Sequence, residues 1–98
     1  MSLAEVEDIL KRIQNYEGVV GYIIVNSEGI PVRTTIDNTT SVHYAGLVCA
    51  LSLRARNTVR ELDKSDELKL IRLRSKTHEV MIAPDKELIL IVVQNPVD

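Results

Sequence analysis

Two histidines and one cysteine are the side chains best suited to chemistry in this sequence, and their spacing does not bring them together. His43 and Cys49 fall in a stretch with helical periodicity, where six residues of separation put them about 120° apart around the axis. A nucleophile and its base need hydrogen-bond reach, which that angle denies them. Cys49 then reads as a small apolar residue and His43 as a polar one on a helix surface. His78, between Thr77 and Glu79, reads as a solvated turn residue. Asp37 and Asp85 stand where a helix start and a turn are expected, and bonding to the local backbone accounts for both. Glu5, Glu7 and Asp8 lie on or near a first helical turn, where the helix dipole favours anions. Gly18, Gly21 and Gly29 match no phosphate-binding spacing, and a lone cysteine offers no metal-ligand pattern. The expectation is a chain with no catalytic residue, no cofactor and no metal site. Arg54, Arg56 and Arg60 are read in two ways. They form a solvated face with snorkelling stems, or a docking site for an acidic partner segment.

The composition narrows the classes further. The 98 residues are 45% hydrophobic and 27% charged, as in an ordinary globular protein, and correspond to one domain over 1–98. Phe and Trp are absent, so the core must be aliphatic. With 12 Lys+Arg against 14 Asp+Glu the formal net charge is −2, and a nucleic-acid partner is not expected without a basic excess or aromatic platforms. The amino terminus is acidic and amphipathic rather than a basic run before an apolar stretch. The longest apolar run, 88–93, is too short to span a bilayer. A cytoplasmic protein without a membrane partner is expected.

The elements that carry these residues follow from periodicity. Ser2 and Glu5 suit a capping box, with Met1 and Val6 placed for a hydrophobic staple. Val6, Ile9, Leu10 and Ile13 make one apolar helical stripe, which Gly18 stops. A strand is expected over 19–26, a turn over 26–29 with Gly29 at positive φ, and a return strand over 30–36. A long helix follows over about 40–62. Three strands, over 68–74, 79–83 and 88–94, complete the chain.

Strands 19–26 and 88–94 do not alternate apolar with polar residues, so both their faces must be covered. Strand 30–36 carries Pro31 and strand 68–74 carries Lys69, Arg72 and Arg74, which suits sheet edges. Tight turns join neighbours. The arrangement that satisfies all this is an α/β (α+β) three-layer helix–sheet–helix sandwich. Its mostly antiparallel five-stranded sheet has the order 2-1-5-4-3 and the topology α-β-β-α-β-β-β.

The long helix is too apolar for one sheet-facing side. Tyr44, Ala45, Val48, Ser52, Ala55, Val59 and Leu62 share the face expected against the sheet, while Val42, Gly46, Cys49 and Leu53 make a second. Leu47 and Leu51 widen the apolar surface. In strand 68–74 the apolar residues Leu68, Leu70, Ile71 and Leu73 change phase midway, which means either a bulge at Arg72 or an edge with apolar residues on both faces. A homodimer answers both features, with Val42, Gly46, Cys49, Leu53, Leu68, Leu70 and Ile71 at the interface.

Three runs carry a family likeness. Asn26-Ser27-Glu28-Gly29-Ile30-Pro31-Val32 with Asp37-Asn38-Thr39-Thr40, then Arg54-Ala55-Arg56-Asn57-Thr58-Val59-Arg60, then Arg74-Ser75-Lys76 with Glu79–Lys86 and Leu90–Pro96, resemble the roadblock/LC7 family over essentially the whole chain. The resemblance implies the same sandwich, a homodimer joined through the long helices and third strands, and no catalytic residues. It implies a dynein light chain that binds the dynein intermediate chain in the motor's cargo-binding tail and supports microtubule-based transport, in the cytoplasm or in a cilium or flagellum. A paralogous light chain in place of the second copy, and a platform for a small GTPase, are the alternatives it brings.

Overall fold

A computed structural model describes residues 2–13 and 15–96. Its elements are helix α1 (Leu3–Ile13), strands β1 (Val19–Asn26) and β2 (Pro31–Thr34), helix α2 (Asn38–Leu62), and strands β3 (Ile71–Arg74), β4 (Glu79–Pro84) and β5 (Leu88–Gln94). The sheet order is β2-β1-β5-β4-β3, and every neighbouring pair is antiparallel. The three-layer arrangement expected from the strand patterns is therefore the observed one, with the sheet antiparallel throughout.

Each helix covers one sheet face. Val6 and Leu10 of α1 pack on Ile24, Leu90 and Val92. Ala45 and Val48 of α2 pack on Ile23, Val25, Ile82, Ile91 and Val93. Adjacent residues such as Ile23 and Ile24, or Ile91 and Val92, thus point into different layers, which is why these strands lack alternation.

The ends of the elements are built by local bonds. Ser2 Oγ accepts from the Glu5 amide at 3.2 Å and also lies 3.2 Å from Glu5 Oε1, so the carboxylate meets the cap hydroxyl rather than the cap amide. The expected staple involves Met1, which lies outside the described residues. Asn26 Oδ1 accepts from the amides of Glu28 and Ile30, and Gly29 adopts φ +82°, closing the first hairpin. Asp37 caps α2 by accepting from the Thr40 amide at 3.0 Å, and this bond holds its carboxyl below the ordinary carboxylate range.

Three expectations need correction. β2 ends at Thr34, although Thr35 still exchanges bonds with Tyr22. β3 begins at Ile71, not Leu68, and pairs with β4 in unbroken register from Ile71↔Ile82 to Arg74↔Glu79. Leu68 and Leu70 precede the strand, so the phase change reflects the strand's boundary and there is no bulge at Arg72. Leu62, expected against the sheet, is 84% exposed in the last turn of α2.

Gly21 marks a close approach. A Cβ there would lie 2.7 Å from Thr35 Oγ1 and 2.8 Å from Ile36 Cγ1, because the chain leaving β2 folds back over β1. Gly21→Ala is expected to destabilise the fold by about 1–3 kcal/mol through overpacking, read as a lower urea midpoint at unchanged slope. At the opposite edge, Arg72 of β3 donates to the buried Glu79 of β4. That bond holds the Glu79 carboxyl below its ordinary value near 4.5; burial opposes it, and Gln94 and Arg74 assist. A depressed folded pKa contributes stability that is present above the unfolded pKa and is lost as pH falls through the folded one. Thermal melts should therefore show Glu79→Gln less stable than the parent at neutral pH, with the gap closing as the pH drops below about 4.5. A gap that persisted at pH 2 would contradict this account.

Candidate functional site

The α2 helix starts beside β2 and crosses β1, and Ile82 of β4 is buried in the same core as Ala45 and Val48, while Leu73 of β3 stays 43% exposed. Its start is tied to β2: Ser41 Oγ is 2.8 Å from Thr34 Oγ1 and donates to the Ile36 carbonyl at 3.3 Å. Farther along, Cys49 Sγ lies 3.8 Å from the position a Gly29 Cβ would take, so this side of the helix faces the β1–β2 turn. The residues that turn fully inward are Ser41, Ala45, Val48 and Ser52. Two of them are small hydroxyl residues that let the helix sit close to the sheet. Ala45, Val48 and Ser52 belong to the face expected against the sheet, and Leu47 and Leu53, expected outside it, are 62% and 59% exposed.

At about 100° per residue, the apolar residues flanking the buried stripe fall into two sectors. Val42, Gly46, Cys49 and Leu53 occupy the sector toward the β1–β2 turn. Val42 and Leu53 are exposed, Cys49 is half-buried, and a Cβ on Gly46 would meet nothing within 4 Å. Tyr44, Leu47 and Leu51 occupy the opposite sector; Tyr44 and Leu51 are half-buried against the core. By register, Ile71 stands opposite Ile82 and Leu73 opposite Val80, so both point to this same face, and Leu73 is 43% exposed. Leu68 is half-buried and Leu70 is exposed, both on the segment that leads into β3. Of the residues expected at one interface, Val42, Gly46, Cys49 and Leu53 share one flank of α2, and Leu68, Leu70 and Ile71 lie on β3 and the segment that leads into it.

The three arginines also separate. Arg56 and Arg60 line a cleft of about 270 Å³ between α2, the segment before β3, and the β4–β5 turn. Arg56 also borders a second cleft of about 180 Å³, which Cys49, Ser52 and Leu53 line with Asn26 and Ser27. Arg54 lines neither. Ser52 Oγ is buried and has no hydrogen-bond partner among the described residues. The helical wheel places Ser52 on the face expected against the sheet, and it is buried there.

The residues considered for chemistry stay apart. His78 closes the β3–β4 turn, where Ser75 Oγ accepts from its amide at 3.0 Å, and Thr77 Oγ1 meets its Nδ1 at 3.0 Å. His43 is exposed on α2, and burial raises the Cys49 thiol above its ordinary value, which disfavours the thiolate. Among the described residues no group of three or more His, Cys, Asp and Glu could hold a metal ion. No helix there is long and apolar enough to cross a membrane.

Two comparisons bear on this arrangement. Among solved structures, the chain is similar to a Roadblock/LC7 domain from Streptomyces avermitilis, with a TM-score of 0.79 at 11% identity over 88% of this chain and 73% of that one. It is also similar to MglB in a tetrameric arrangement, with a TM-score of 0.74 at 9% identity over 94% of this chain and 71% of that one. At such identities these likenesses establish the fold. The sequence itself matches the Roadblock/LC7 domain family over residues 5–95, and the chain therefore belongs to that family.

Proposed function

We propose that this chain is a non-catalytic scaffold that pairs with a second copy of itself and holds a partner protein. The observation that carries the reading is the free edge of the sheet at β3, with Leu73 43% exposed on it and Leu47 62% exposed on the helix of the same face. Monomeric proteins seldom leave large apolar side chains exposed beside an open strand edge. A two-fold axis alongside β3 would extend the sheet across both copies and bring the two α2 helices onto one face of it. On this reading the Tyr44, Leu47 and Leu51 flank joins the dimer, together with Ile71, in place of the Val42, Gly46, Cys49 and Leu53 sector. The tetrameric arrangement of the MglB structure supports self-association.

The partner on this reading is the dynein intermediate chain, and the protein is a dynein light chain acting in the cytoplasm on microtubules. Its support is the resemblance carried by the runs 26–32, 54–60 and 74–96. A second reading keeps the scaffold and makes the partner a small GTPase. The same fold in a Streptomyces protein favours keeping it, since the fold is not confined to organisms with dynein. Retention of an intermediate-chain peptide on immobilised protein supports the first reading. No retention, with altered GTP hydrolysis by a Ras-like protein, supports the second.

The dimer has its own tests. Sedimentation equilibrium at micromolar concentration should return twice the chain mass. Leu73→Arg and Leu47→Arg should each weaken association by about 10–100-fold, since each removes a large apolar side chain worth about 1.5–3 kcal/mol when buried. An unchanged mass for the double variant would remove the proposed interface. Gly46→Ala discriminates between the two flanks. With open space at its Cβ it should leave the mass unchanged and add about 0.5–1 kcal/mol of helix stability. Dissociation on this substitution would instead return the interface to the Val42–Leu53 sector.

A further inference from the structure

The two clefts at the turn end of the sheet share Arg56, Asp85 and Lys86, so they form one trough with Arg56 at its middle. The larger part has four cations on its walls, Arg56, Arg60, Lys69 and Lys86, against the carboxylates of Glu67 and Asp85. This excess of positive charge sits on a chain whose net charge is −2. Lys69 is committed to Glu67 at 2.7 Å. Arg56 and Arg60, one helical turn apart, make no ion pair among the described residues. The half-buried Leu68, Ala83 and Pro84 line the same cleft and give it an apolar component. At the other end of the trough the buried Ser52 hydroxyl lacks a partner beside half-buried Cys49 and exposed Leu53.

A guanidinium fork matches a carboxylate in two parallel hydrogen bonds, and two forks on successive turns present that geometry twice along one line. A small inorganic anion would satisfy the forks but leave Leu68, Ala83 and Leu53 in water. An extended peptide satisfies both, with carboxylates on the arginines and apolar side chains between them. We propose that this trough docks an acidic segment of the partner protein. Arg56 and Arg60 hold its carboxylates, the apolar lining takes neighbouring aliphatic side chains, and the Ser52 hydroxyl takes one polar group of its backbone. The proposal rests on the reading of the chain as a docking scaffold and names the chemistry of the docked segment. By helical periodicity Arg56 and Arg60 lie on the flank of α2 away from Tyr44, Leu47 and Leu51.

The test is fluorescence polarisation with a labelled peptide that alternates Glu and Leu with Gly spacers, beside a counterpart with Gln for every Glu. The full chain should bind the Glu peptide saturably, bind the Gln peptide at least about tenfold more weakly, and lose affinity as salt rises. Arg56→Gln with Arg60→Gln should weaken binding at least about tenfold, whereas Arg54→Gln, outside both clefts, should not. Amide shifts on titration should gather at residues 52–60 and 83–88. Equal affinity of the double variant, equal affinity for the Gln peptide, or no saturable binding would overturn the proposal. So would inorganic phosphate that reproduces the shifts and displaces the peptide at equal concentration. Sedimentation of the same samples separates the two readings. A particle of twice the chain mass without peptide binding counts against the trough alone, while a monomer counts against the scaffold.

Discussion

The arrangement of the molecule follows from one requirement: a five-stranded sheet with two apolar faces is served by two helices, one on each face. β1 and β5 set the demand. Ile23, Ile24, Val25, Ile91, Val92 and Val93 are all buried, so both layers must exist. α1 meets its side with Val6 and Leu10. α2 meets the other with Ala45 and Val48; the Thr34–Ser41 bond ties its start to β2, and its second half reaches the segment before β3 and the β4–β5 turn. Ile82 of β4 is fully buried on that side, while Leu73 of the edge strand β3 is 43% exposed.

That placement gives the two flanks of α2 different surroundings. One carries Tyr44 and Leu51, half-buried against the core, and the exposed Leu47. The other looks onto turns, where Arg56 and Arg60 stand over small clefts. Burying an apolar flank against a copy is favourable through area alone and needs little directional chemistry. A cationic trough selects by charge and geometry instead, which is how recognition of a particular partner segment differs from self-association. The separation of these two surfaces on one helix allows each to be occupied without displacing the other.

Much of the fold was legible in the sequence because the signals were local. Missing alternation in 19–25 and 88–93 identified the inner strands, Pro31 identified an edge, and the turns at 26–29 and 84–87 left one order of strands. Other features depended on tertiary placement. The start of β3 is set by its register with β4, which no local pattern in Leu68–Ile71 encodes. Ser52 is on the expected inward face, but Ser41 turns inward because its hydroxyl meets Thr34 and the Ile36 carbonyl, a contact that only the return of the chain from β2 creates. Leu62 shares the wheel position of the buried residues but stands where the helix has passed beyond the sheet. The arginines could be counted but not sorted, since only the β4–β5 turn and the segment before β3 distinguish Arg56 and Arg60 from Arg54.

The residues that first suggested chemistry contribute to this scaffold by what they leave unreactive. His78 is spent on a turn, Asp37 on a helix cap, and Cys49 is half-buried against a hairpin with its thiol held protonated. Glu79, the one carboxylate buried among the described residues, is neutralised by Arg72 across the β3–β4 pair. Nearly every strongly polar group near the core is thereby committed to geometry. The buried exception among the described residues is the Ser52 hydroxyl, which has no partner and sits in the same trough as Arg56 and Arg60. A buried hydroxyl without a partner carries a cost, which a polar group of a docked segment would remove.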